Sequence, residues 1–172
     1  MENWYVLFMK SGDEKKVCEL LNREQFKAFV PKMKVMHRKA GVSSLVEKVM
    51  FPGYVFVESV LNQNDFVMEL RKFQSKMQRY LKLLKIDEQG TAVLYPEEQQ
   101  YLKSILNDEM VMDHSIGMIE GDKTIVTSGP LMGLENTIVK IDRHKRKAII
   151  QVMICNQPTL VHVSLEIISK TK

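Results

Sequence analysis

The chain changes character near Gly117. Before it, strand-like and helix-like apolar patterns alternate; beyond it only short strands are legible, and every one of the 13 aromatic residues lies at or before Tyr101. Five short stretches are strand-like: Lys123–Ser128, Asn136–Asp142, Ala148–Ile154, Thr159–Val163 and Leu165–Ser169. Turns at Ser128-Gly129-Pro130, Arg143 to Lys147 and Asn156-Gln157-Pro158 separate them. Five short strands in roughly 50 residues suggest a small barrel.

The first part reads differently. Trp4 to Lys10 is a strand pattern, and Ser11 followed three residues later by Glu14 is a capping-box pattern. Val17, Cys18, Leu20 and Leu21 then form the apolar stripe of a helix ending near Arg23. Phe26 to Met36 and Glu47 to Glu58 are strand-like, with a basic loop from His37 to Val46 between them. Asn64 or Asp65 is expected to cap a second helix with Phe66, Val67, Leu70 and Phe73 on its apolar face. Gln78 to Ile86 reads as a further strand, and Pro96 starts a third helix. Asn107 to Gly117 has no clear period, so a linker is placed at residues 108–119, between domains at 1–107 and 120–172.

No apolar run approaches the roughly 18 residues of a membrane span. The opening residues carry Glu2 and aromatics where a secretory signal would carry Lys or Arg. A soluble cytoplasmic protein is expected. Cys18 and Cys155 lack ligand-spaced companions, so neither a metal nor a cofactor is implied, and both read as buried small apolar residues. Nucleophile-elbow, phosphate-loop, dinucleotide and zinc-protease patterns are missing, and His37, His114, His144 and His162 are widely spaced. The expectation is a protein that is not an enzyme.

The net charge of +4 is unevenly spread. Residues 114–172 hold 8 Lys/Arg against 5 Asp/Glu, whereas residues 1–113 hold 17 against 16. Lys140 to Lys147 gathers Lys140, Arg143, Lys145, Arg146 and Lys147 around Asp142 alone. A second run, Arg71 to Lys85, has six cations and no acid. Such runs are either solvated faces or the electrostatic footprint of a polyanion.

Three segments together resemble the NusG family of transcription elongation factors. They are Trp4-Tyr5-Val6-Leu7, Phe51-Pro52-Gly53-Tyr54-Val55-Phe56-Val57-Glu58, and Gly121-Asp122 through Gly129-Pro130-Leu131-Met132-Gly133. The resemblance implies an α+β fold: an N-terminal antiparallel sheet flanked by helices, then a KOW domain, an SH3-like five-stranded β-barrel. It also implies docking on the clamp helices of RNA polymerase through an apolar depression, carried over onto Tyr5, Phe51, Pro52, Tyr54 and Phe56. Strand alternation puts Phe51, Val55 and Val57 on one face and Pro52, Tyr54 and Phe56 on the other. Both faces are apolar, so either helices cover both or Tyr54 and Phe56 stay partly exposed for a partner; the resemblance favours the second.

The departures from the family are specific. Where GPFxGFxG is usual, the chain has Leu131 and Leu134 for the aromatics and Asn136 for the last glycine; a Phe-Gly-Arg turn becomes Cys155-Asn156-Gln157. The barrel therefore resembles that of the LoaP-type antiterminators. The expectation is a monomeric processive antiterminator that contacts DNA in the elongation complex and binds a structured RNA, a hairpin. The RNA-binding residues would be Lys123, Lys140, Arg143, His144, Lys145, Arg146 and Lys147. Single-strand readers stack bases on aromatic side chains, and residues 114–172 have none. The alternatives are a housekeeping NusG-type elongation and termination factor, or a KOW-type RNA-binding module of the ribosome.

Overall fold

The computed structural model describes all residues from 1 to 172. In chain order it contains β1 (Asn3–Phe8), α1 (Glu14–Arg23), β2 (Lys27–Phe29), β3 (Lys32–Lys39), β4 (Val42–Val49) and β5 (Tyr54–Ser59). Then come α2 (Gln63–Met77), β6 (Lys82–Leu83), α3 (Pro96–Ile105), β7 (Val111–Met112) and β8 (Ser115–Glu120). The chain ends with β9 (Lys123–Ser128), β10 (Ile138–Asp142), β11 (Lys147–Ile154) and β12 (Gln157–Thr171). The class is α+β, as expected.

These elements pack into two compact units. The first comprises Met1–Pro31, Phe51–Gln100 and Ile154–Gln157; the second comprises Lys32–Met50, Tyr101–Met153 and Pro158–Lys172. In the first, a four-stranded sheet of order β2-β5-β1-β6 has β1 antiparallel to both β5 and β6. One face of it presents Tyr5, Leu7, Val55 and Val57 to Val17 and Leu21 of α1 and Phe66, Leu70 and Phe73 of α2. Tyr5 stacks on Phe66 with ring centroids 3.9 Å apart, and its hydroxyl donates to the Leu61 carbonyl at 2.9 Å. Asn62 is the actual cap of α2, its side chain accepting from the Asp65 amide.

In the second unit, a five-stranded sheet has the order β10-β11-β12-β8-β9, and a three-stranded sheet the order β4-β3-β7. Alternate residues Ala148, Ile150 and Val152 of β11 are buried, as are Val161, Val163 and Leu165 of β12. An aliphatic set of this kind, with period 2, is how a sheet builds a core without aromatics.

The structure departs from the sequence reading in several places. Residues 37–46 are not a loop: β3 and β4 pair without a break from Lys32↔Val49 to Lys39↔Val42, and only Ala40-Gly41 turns. Both turn residues have positive φ, 51° and 79°, as a tight hairpin turn requires. Beyond Met36 both strands are mostly polar and exposed, which hides their period. Residues 108–119 are not a linker either. Val111 and Met112 pair in parallel with Lys32 and Met33, and β8 joins the barrel sheet between β9 and β12. Gly117 pairs with Val126 in that strand, where a Cβ would come within 2.7 Å of the Ile125 carbonyl and only glycine fits. The barrel does have five strands, but β8 is one of them and the two expected final strands are the single strand β12.

Candidate functional site

The first candidate surface is built by the turn between β4 and β5. Gly53 has φ +86°, and a Cβ on it would lie 2.9 Å from the Met9 carbonyl. Any other residue would be strained and would clash there. The Met9 amide donates to the Gly53 carbonyl at 2.9 Å, and the Gly53 amide donates to Glu14 Oε1 at 2.6 Å. Glu14 also accepts from the Gly12 amide at 2.8 Å. So Glu14 is not the far half of a Ser11 capping box: the helix starts at Glu14 after Asp13, and its carboxylate holds the turn. Burial works to raise its pKa, but hydrogen bonds from the backbone of Gly53, Glu14 and Gly12 and from the Ser11 side chain together outweigh burial and hold the carboxyl below its ordinary value.

Because Gly53 turns the chain, the alternation of β5 does not extend back to Phe51. Phe51 lies with Phe56 (centroids 5.8 Å) and Tyr54 (6.4 Å), not with Val55 and Val57. The rings continue from Phe56 to Phe29 at 5.5 Å and from Phe29 to Trp4 at 4.9 Å, and from Tyr54 to Phe8 at 5.6 Å. Register explains the last contact, since Phe8 is opposite Tyr54.

The five residues carried over as docking residues therefore divide. Tyr5 and Phe56 are fully buried and Phe51 nearly so, while Tyr54 is half-buried and Pro52 exposed. Tyr5 lies on the opposite face of the sheet, under α2. Phe56 was expected to be partly exposed and is not, because Trp4, Phe29 and Phe51 enclose it. Phe8, which sequence reasoning missed, is 44% exposed beside Tyr54. Its signal was the period of β1, which sets Trp4, Val6 and Phe8 on the face opposite Tyr5 and Leu7. The surface accessible to a partner is thus Phe8, Pro52 and Tyr54, backed by Phe51 and Phe56. Burial raises the Tyr54 pKa, so at neutral pH its hydroxyl remains a donor.

The second candidate surface is the β10–β11 connection. Asp142 pairs with Lys147 and the chain reverses over Arg143–Arg146. The Lys145 amide donates to Asp142 Oδ1 at 3.0 Å, and this donor lowers the Asp142 pKa. Arg146 adopts φ 51°, held by the Leu165 amide donating to its carbonyl at 3.1 Å and by its Nε 3.5 Å from Glu166 Oε1. Lys145 leans toward Asp142 at 3.9 Å, whereas Lys140, Arg143 and Lys147 have no acidic partner. Lys140, Arg143, His144 and Lys145 are exposed, and Arg146 and Lys147 half-exposed. Lys123 is exposed too, but it starts β9, the opposite edge of the sheet from β10. Six of the seven expected residues thus belong to one strand-and-turn segment, and Lys123 does not.

His114 has Nδ1 2.6 Å from Ser164 Oγ and Nε2 3.5 Å from Glu166. Ser164 is 1% exposed, so this chain of polar groups fixes the Arg146–Glu166 pair rather than offering a nucleophile. Leu131 is fully buried, whereas Leu134 is half-exposed and Met132 exposed. An aromatic ring at 131 would be core, and only the changes near 134 alter the surface. Asn136 sits in a 3-10 turn, Glu135–Thr137, whereas Cys155 and Asn156 form a left-handed pair, φ 51° and 58°, which turns β11 into β12.

Residues 2–77 match the family model described as transcription termination factor nusG. The transcription termination/antitermination protein NusG of Bacillus subtilis (strain 168) is 27% identical, aligned over 98% of this chain and 98% of its own length. The protein of the same description from Pasteurella multocida (strain Pm70) is 25% identical over 99% of this chain and 96% of its own. A solved structure described as domain interaction in Thermotoga maritima NusG has a TM-score of 0.50 at 20% identity, over 95% of this chain and 94% of that one. That likeness bears on the fold alone.

Proposed function

We propose that this chain, which belongs to the NusG family of transcription termination/antitermination factors, acts as a specialised processive antiterminator. It docks on RNA polymerase through Phe8, Pro52 and Tyr54 and engages a structured RNA through the basic β10–β11 turn. The observation that carries this reading is the turn itself: cations on an exposed connection, three of them without acidic partners, on a barrel that has no aromatic residue. Dense cations meet phosphates, and a barrel without rings has no stacking platform for splayed bases. A stem recognised by backbone geometry and groove shape fits both facts. The polymerase contact rests on the half-exposed ring pair Phe8–Tyr54, beside exposed Pro52, on an otherwise buried aromatic cluster. Exposed apolar surface of this kind on a rigid base suits a protein partner. Binding would oppose the opening that accompanies pausing, which is a shift of population and not a chemical step.

A housekeeping role is the second reading. The end-to-end alignment with proteins named for both termination and antitermination favours it. Transcription in vitro through a terminator separates the two. With a leader hairpin present, an antiterminator raises read-through only when the Lys145-Arg146-Lys147 segment is intact. Read-through that is unaffected by the hairpin, or by alanine at those three positions, rules out the specialised reading.

A further inference from the structure

The β3–β4 hairpin and the β10–β11 turn, about a hundred residues apart in the chain, face one cleft within the second unit. His37, Arg38 and Ser43 line one wall and His144, Lys145 and Lys147 the other, around about 310 Å³, and no carboxylate lines it. Arg38 and the neighbouring Lys39, at the hairpin tip, are exposed and form no ion pair. His144 also lines a second groove, of about 480 Å³, with Lys140 and Arg143. The two grooves therefore adjoin at His144; Asp142 also lines the second, so the first, free of carboxylates, is the more cationic part of the track over the turn.

Like charges gathered around a cleft repel one another, and a polyanion entering it relieves that repulsion. The hydroxyl of Ser43 and the imidazoles of His37 and His144 add donors suited to phosphate and ribose oxygens. The cleft is too small to admit a base-paired stem and large enough for a phosphate and its sugar. We infer that the β3–β4 hairpin is the second wall of the RNA site: one strand of a stem–loop passes its sugar–phosphate backbone through the cleft, with Arg38 on a phosphate and Lys147 opposite. The inference rests on the reading of the turn as an RNA-binding element and adds a part of the chain that neither strand pattern nor charge run had assigned.

The test is titration of the full chain with a stem–loop RNA of about 16 base pairs, the reach of a double-strand-binding module, across a range of salt. Arg38→Ala is expected to weaken binding several-fold. It should also reduce the slope of log affinity against log salt by about one, the signature of a lost phosphate contact. Arg38→Lys should restore most of that slope. If Arg38→Ala binds with unchanged affinity and slope while alanine at Lys145, Arg146 and Lys147 loses binding, the second wall is refuted and the reading of the turn stands. If the triple variant also binds as wild type, both are refuted.

Discussion

Replacing Glu14 by alanine tests whether the turn at Gly53 is held by a buried carboxylate. Glu14 is 4% exposed and accepts from two backbone amides, Gly53 at 2.6 Å and Gly12 at 2.8 Å. A hydrogen bond to a charged group contributes about 1.5–3 kcal/mol, and the buried amide left without an acceptor keeps its desolvation cost. The Gly12 contact is more solvated and counts for less, so the expected loss is about 2–4 kcal/mol. Glu14→Gln retains one acceptor and should lose about half of that. Trp4 is the only tryptophan and is fully buried in the first unit, so its fluorescence in a urea titration reads this unit. With a slope of about 2 kcal/mol/M, the middle of the range for small proteins, the midpoint for Glu14→Ala should fall by about 1–2 M. The pH dependence has a fixed sign. The native carboxyl is held below its ordinary value of 4.5, so its contribution is full above that pH and is lost as pH falls through the native value. The gap between wild type and Glu14→Gln should therefore close in acid. Equal midpoints at pH 7, or a gap that widens on acidification, would refute the assignment.

Three further outcomes are expected. Tyr54→Ala should weaken polymerase binding by about 1–3 kcal/mol if Tyr54 is an anchor, measured by pull-down against wild type; RNA affinity should not change. Limited digestion with the broad-specificity protease proteinase K should cut first around Arg38 to Gly41, on the exposed tip of the β3–β4 hairpin, and a first cut within residues 108–119 would show that β7 and β8 are less secure than their pairing implies. Thiol alkylation of the native protein at pH 8 should label Cys18 well before Cys155, because Cys155 is 5% exposed and burial, with the Glu98 charge, pushes its thiol up to about 12; mass spectrometry of the peptides reads the order.

Local patterns were legible wherever one side chain period ran unbroken through a buried element. β1, α1, α2, α3, β9 and β11 lie close to where their apolar spacing puts them. The failures came where pairing, not patterning, decides the structure. β3 and β4 carry mostly polar residues beyond Met36, and each is a strand because the other is beside it. β7 is two residues long and exists because β3 runs past it in parallel. β8 combines Ser115, which is buried and accepts from the Leu131 amide at 3.2 Å, with Gly117, pressed against β9. In one dimension a buried serine and a glycine resemble a linker, although here they are the means of close approach. Parallel and long-range pairs leave no mark on the spacing of a single segment.

The candidate surfaces follow the same rule with a different consequence. Charge is legible because it needs no partner: Lys140 and the 143–147 turn form one basic segment just as the composition indicates. Burial of an aromatic side chain is not legible, because it depends on what lies across the strand. Phe56 and Tyr54 are two residues apart on the same face, yet Trp4, Phe29 and Phe51 close over Phe56 while Tyr54 stays half-exposed beside Phe8. A ring that is enclosed cannot be an anchor for a partner, but it can set the height and tilt of the ring that is. Phe56→Leu should thus lower polymerase affinity only as far as it destabilises the first unit, whereas Tyr54→Ala should lower affinity with stability nearly intact. Measuring both affinity and urea midpoint for the two variants separates anchor from support: affinity loss at Phe56 in excess of its loss in stability would mean that the enclosed ring touches the partner and that the surface opens on binding.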